Sequence, residues 1–83
     1  MIYLENIRNI FSEVVGEEAA ELVTLDASME DIPGWDSLTF VKIIMRLEEK
    51  FELRISSADA TSLFSISAIN EFLENKVKSK EKD

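Results

Sequence analysis

Asp36-Ser37-Leu38-Thr39-Phe40-Val41-Lys42-Ile43-Ile44-Met45-Arg46-Leu47-Glu48-Glu49-Lys50-Phe51 is the stretch that sets the fold class. Its apolar residues recur at helical spacing, with no alternation of the strand type. On a helical wheel Leu38, Phe40, Val41, Ile43, Ile44, Met45, Leu47 and Phe51 fill a wide arc, and Thr39, Lys42, Arg46, Glu49 and Lys50 fill the narrow remainder. So broad an apolar arc predicts a central helix touching several others. Glu48 falls inside that arc and needs a partner or a place at its edge. Asp36, just ahead of the run, is a natural N-cap.

Upstream, Tyr3, Leu4, Ile7, Ile10, Phe11, Val14 and Val15 keep the same period, and Gly16 follows as a C-cap. A first helix is predicted over residues 2–15. Residues 16–35 then form a long acidic connection that ends in the turn signal Pro33-Gly34. Leu22, Val23, Leu25, Met29, Ile32 and Trp35 are its candidate anchors, and a short helix near Glu17–Val23 is compatible with the pattern. A connection of this length points to a functional or well-anchored loop.

Downstream, Ser56-Ser57 caps a short segment near residues 57–62, and Ser65 caps a last helix near 66–78 whose stripe is Ile66, Ile69, Phe72, Leu73 and Val77. The charged tail, residues 79–83, is expected to fray. Together these elements predict an all-α domain over residues 1–78, a four-helix bundle with a short third helix and a long loop between helices one and two.

Composition narrows the chemistry. The 83 residues allow one domain and one small core, and the 46% hydrophobic and 31% charged content is that of a globule rather than a disordered tail. Cysteine and histidine are absent, which excludes a thiol nucleophile, an imidazole base and the usual zinc ligands. Gly16 and Gly34 are the only glycines, too few for a phosphate-cradling loop. No metal site and no catalytic group is expected, so any reactive group must be brought in. The chain is therefore expected not to be an enzyme.

Net charge is −8, and residues 1–36 hold all of it, with nine acids against the single base Arg8. Phosphate backbones repel such a chain, so nucleic acid is not expected as a partner. The longest uncharged stretch, Ala60 to Asn70, is far too short to span a bilayer, and the start lacks the basic region of a secretory signal. A cytoplasmic protein, monomeric and not membrane-bound, is the expectation.

Gly34-Trp35-Asp36-Ser37-Leu38 resembles the attachment motif of the acyl carrier protein family, including carrier domains of polyketide and peptide synthases. The likeness extends through Leu47-Glu48-Glu49-Lys50-Phe51 and to Ile55, Leu63 and Ile69, where the family has apolar residues. It implies that Ser37 receives a 4′-phosphopantetheine arm from coenzyme A, in a magnesium-dependent transfer by a phosphopantetheinyl transferase. The arm's thiol then carries an acyl group as a thioester. By the same likeness Asp36 helps the transferase engage, and Leu38 anchors the helix start and packs beside the arm.

The local physics is compatible, since a phosphodiester at a helix start would meet free backbone N–H groups and the positive end of the helix dipole. Trp35 has a plainer role, as an aromatic plug holding the loop on the core. Phe40, Met45 and Phe64 are candidates to fill the interior and restrict the cargo to short or exposed chains.

One departure bears on partners. The face beside Ser37, formed by Thr39, Lys42, Arg46, Glu49 and Lys50, is largely basic where fatty-acid carriers are acidic. It is the expected recognition face, for acyl-loading and acyl-processing enzymes with acidic or neutral patches. The pathway expected is fatty-acid-like, polyketide or another specialised acyl biosynthesis. Two alternatives stay open: an aminoacyl or peptidyl carrier with the same arm, and an unmodified acidic helical adaptor.

Overall fold

A computed structural model describes residues 3–81, with side-chain surroundings as far as Lys78. The described residues are helical, with no strand. The helices are α1 (Leu4–Val15), α2 (Glu17–Ala20), α3 (Ser37–Phe51), α4 (Ser57–Ala60) and α5 (Ile66–Glu81), with a 3-10 turn at Met29–Asp31. The all-α class holds. The four-helix count becomes three long helices and two short ones, because α2 and the 3-10 turn subdivide the connection. The first helix begins at Leu4 after Tyr3, and Met1 and Ile2 lie outside the described residues. The last helix continues to Glu81, and positions 82 and 83 also lie outside them.

The hub is α1, not α3. Ile7, Ile10 and Phe11 are fully buried, and the extensive helix–helix packing runs from α1 to α2, to α3 and to α5. Ala19 and Ala20 on α2 are small enough for α1 to approach closely, and both are buried. From α3 only Ile43 and Leu47 are fully covered, with Phe40, Ile44 and Phe51 half-buried. Leu38, Val41 and Met45, expected in the core, are exposed at 71%, 55% and 52%. The apolar arc of α3 is wider than the surface its neighbours cover, which is chiefly α1, so its outer edge is left to water. Phe64, at 45% exposure, does not fill the interior either, nor does Met45.

On α5, Ile66, Ile69 and Leu73 face the core and Phe72 and Val77 are half-buried. The buried Asn70 joins α5 to the start of α1. Its Oδ1 accepts from the Tyr3 N–H at 2.6 Å, and its Nδ2 donates to Glu74 at 3.2 Å. Tyr3 also packs edge-on against Phe51 at 5.4 Å. Glu48 finds its partner by accepting the Ile55 N–H at 2.9 Å, which closes the chain behind α3.

Of the expected loop anchors, Val23, Ile32 and Trp35 are buried and Met29 is half-buried, whereas Leu22 and Leu25 are exposed. Ala27 is an anchor the hydropathy pattern did not mark. Polar bonds complete the attachment. Arg8, the only base among residues 1–36, donates to the Val23 carbonyl at 2.8 Å. The loop is then stitched to the start of α5, with Met29 N–H donating to the Phe64 carbonyl and Ile66 N–H to the Ala27 carbonyl, both at 2.9 Å.

Candidate functional site

The approach to α3 is a tight turn in which Trp35 N–H donates to the Ile32 carbonyl at 3.2 Å. Pro33 supplies the fixed φ of the second turn position. Gly34 takes the third at φ 86°, a conformation costly for other residues. The turn lets Trp35 plug the core at 4% exposure, edge-on to Phe11 at 5.0 Å and tilted against Phe40 at 6.4 Å. The loop-plug role expected of Trp35 is what its packing shows.

Asp36 caps α3. Its carboxylate accepts from the N–H of Thr39 at 2.9 Å and of Leu38 at 3.0 Å. Thr39 reciprocates: its hydroxyl accepts the Asp36 N–H at 2.8 Å and donates to the Gly34 carbonyl at 2.6 Å. This is a capping box, with Thr39 in the place usually held by Glu or Gln. The three-residue spacing from Asp36 to Thr39 was a readable signal for it. Hydrogen bonds, first among them that from the Thr39 N–H, hold the Asp36 carboxyl below its ordinary pKa, against the opposing effect of its desolvation.

Ser37 is the first residue inside the helix, and it is exposed. Its hydroxyl has no hydrogen-bond partner among the described residues, so the cap fixes the backbone around it and leaves the oxygen presented to solvent. An incoming phosphoryl group fits such an oxygen. The free amides expected there are mostly taken, because Asp36 holds those of Leu38 and Thr39 and the Phe40 N–H bonds the Asp36 carbonyl at 2.8 Å. Leu38 lies beside Ser37 but, at 71% exposure, does not anchor the helix start. Asp36 and Trp35 do that.

Residues 5–73 match a family model described as a phosphopantetheine attachment site. The chain belongs to this family of acyl carrier proteins. An acyl carrier protein from Exiguobacterium sibiricum is 34% identical to it over 74 residues, which cover 89% of this chain and 92% of the relative. The family's cofactor is phosphopantetheine, and its members are carriers rather than catalysts. This carrier therefore takes its reactive thiol from the arm, which accords with the absence of cysteine from its own sequence. Membership also implies a phosphopantetheinyl transferase and acyl-processing enzymes as partners. Among the described residues no helix is long and apolar enough to cross a membrane.

The remaining site candidates lie on the outer face of α3. Lys42, Arg46, Glu49 and Lys50 are exposed. Thr39 is half-buried, and its hydroxyl is engaged in the cap. Arg46 is tied down, 3.5 Å from Glu13 on α1 and 3.8 Å from Glu49. Leu38, Val41 and Met45 share this face. Their exposure was not readable from the periodicity, which gives the width of an apolar arc but not how much of it a neighbour covers.

Proposed function

We propose that this chain carries acyl intermediates as thioesters on a 4′-phosphopantetheine arm attached to Ser37. The observation that carries the reading is the exposed, unpartnered Ser37 hydroxyl at a helix start whose backbone Asp36 and Thr39 hold in place. Asp36 also offers the transferase a charged contact beside the acceptor oxygen, and Leu38 an apolar surface along which the arm can lie. The function belongs to fatty-acid-like, polyketide or another specialised acyl biosynthesis. The chain acts as a cytoplasmic monomer, with residues 1–78 as its domain and residues 79–83 as a tail.

Partner enzymes dock on the outer face of α3. Its apolar stripe of Leu38, Val41 and Met45 supplies contact area, and the flanking Lys42, Arg46, Glu49 and Lys50, with Thr39 at the start, set orientation.

Intact mass after incubation with coenzyme A and a broad-specificity transferase tests the attachment. The wild-type chain gains the mass of the arm, and Ser37→Ala, which is expected to fold normally because the hydroxyl has no hydrogen-bond partner among the described residues, gains none. Modification that persists in Ser37→Ala would move the site to one of the other eight serines.

A further inference from the structure

A second apolar surface lies close to Ser37 and shares no residue with the outer face of α3. Val15 at the end of α1, Glu18, Ala19 and Leu22 on and just after α2, and Pro33 and Gly34 in the turn line an open groove of about 430 Å³. Leu22 forms its lip, an apolar side chain 49% exposed that the fold does not cover.

Groove and attachment residue form one body. Gly34 seats so closely on α1 that a Cβ there would stand 3.4 Å from the Val15 side chain. Its carbonyl accepts from the Thr39 hydroxyl at 2.6 Å, in the first turn of α3. Ser37 follows Gly34 by three residues, at most about 11 Å along the chain. A protein seated in the groove therefore meets the Ser37 hydroxyl at a fixed offset.

The charge around the groove decides what fits it. Glu18 stands on the wall, and Glu17 and Glu21 are exposed beside it. None of the three has an ion pair among the described residues. Arg8, the only base among residues 1–36, is turned to the Val23 carbonyl. An apolar groove with a carboxylate on its wall suits lysine or arginine, whose aliphatic stem lies on Val15, Leu22 and Pro33 while the charged head reaches Glu18. Coenzyme A is a polyanion with a pyrophosphate and a 3′-phosphate, so an enzyme that brings it to Ser37 surrounds its pocket with cations. The basic face of α3 repels such a rim, and the acidic groove attracts it.

We propose that this groove is the docking site of the phosphopantetheinyl transferase, which seats a lysine or arginine from the rim of its coenzyme A pocket there, whereas acyl-processing enzymes use the face of α3. The inference deepens the partner reading above and rests on the attachment at Ser37. In the seated complex the Ser37 Oγ forms the new P–O bond, the pyrophosphate linkage of coenzyme A breaks, adenosine 3′,5′-bisphosphate leaves and the hydroxyl proton passes to solvent. The groove takes no part in these steps and sets only where Ser37 stands against the pyrophosphate.

Steady-state arm transfer from coenzyme A by a broad-specificity transferase, read by intact mass, tests the proposal. Glu18 and Leu22 are exposed, and thermal melts verify that their variants fold. Glu18→Lys is expected to raise KM for the carrier about tenfold at low salt with kcat unchanged, an effect that shrinks at high salt. Glu18→Gln, of the same size without the charge, falls between. Leu22→Ala is expected to raise KM about threefold at either salt concentration, because its contribution is apolar. Glu71→Lys, the same charge change on the exposed side of α5, stays within about twofold of the wild type. An isotope-labelled Ser37→Ala carrier titrated with transferase and coenzyme A should show its amide shifts at Val15, Glu18, Leu22 and Gly34.

Amide shifts confined to Val41, Lys42 and Met45 would overturn the proposal and put the transferase on α3. Equal rises in KM for Glu18→Lys and Glu71→Lys would overturn it too, since net charge alone would then steer the encounter. If the wild type gains no mass at Ser37, the attachment reading fails and this inference with it. Mass gain at Ser37 with KM unmoved by Glu18→Lys and Leu22→Ala sinks this inference alone.

Discussion

Asp36 and Trp35 flank one another in sequence and act on opposite sides of the chain. Trp35 is driven inward by its ring, and Asp36 is held outward by the amides of the helix it starts. Both roles are legible from residue type, because an acid before an apolar helical run is a cap and a lone tryptophan in a loop is an anchor. That the indole N–H has no acceptor among the described residues is not legible, since it depends on what surrounds the ring.

The Asp36 cap has a pH signature. Hydrogen bonds to the carboxylate lower its pKa in the folded state, so its contribution is complete above the unfolded-state value and is lost as pH falls through the folded-state value. Asp36→Asn keeps a capping oxygen without the charge. The variant should melt below the wild type at neutral pH, and the gap should start to narrow as pH falls past the ordinary carboxylate value of about 4 and close only below the lowered folded-state value. A gap independent of pH would contradict the assignment. A phosphodiester on Ser37 adds a second negative charge at the same helix end, so attaching the arm should raise the Asp36 pKa in a direct titration.

At the level of elements, the starts of α3, α4 and α5 were readable because Asp36, Ser56 and Ser65 each accept from an amide of the following turn. Which helix lies at the centre was not. The wheel of α3 is broad, yet α1 does the covering, and the difference is decided by packing between elements rather than by either pattern alone. The outer face of α3 consequently mixes apolar and charged residues, and its two nearest cations are not equivalent. Arg46 is paired with Glu13 across the α1–α3 contact, whereas Lys42 is exposed with no ion pair among the described residues.

Reversing Arg46 to Glu should therefore cost a few tenths of a kcal/mol of stability, a small effect because both partners are about half exposed. Reversing Lys42 to Glu should leave stability within about 0.5 kcal/mol. Denaturant titration separates the two. In loading assays Lys42→Glu should slow the cognate enzyme at low salt, with the effect shrinking at high salt. Rates that do not change at either salt concentration would remove Lys42 from the docking face.

For the molecule as a whole, the sequence marks the connection between α1 and α3 as too long to be idle but hides how it is held. Its internal helices are single turns with little periodicity, and two of its apolar residues, Leu22 and Leu25, point to water. Its decisive attachment, the stitch from residues 27–29 to 64–66, joins segments far apart in the chain and has no local signature. The stitch adds two backbone bonds between irregular segments that α3 and α5 bring together when they dock on α1, so it is expected to form after the folding barrier has been crossed. A change confined to them should speed unfolding and leave folding unaltered. Met29→Pro deletes the donor to the Phe64 carbonyl at the first position of the 3-10 turn, where proline's φ is accepted and Ser28 before it is already extended at ψ 178°, and Met29→Ala, which trims the same half-buried side chain but keeps the N–H, is its control. Stopped-flow kinetics in denaturant should then show the unfolding arm raised and the folding arm superimposed on the wild type, and a slowed folding arm would place the stitch in the nucleus instead.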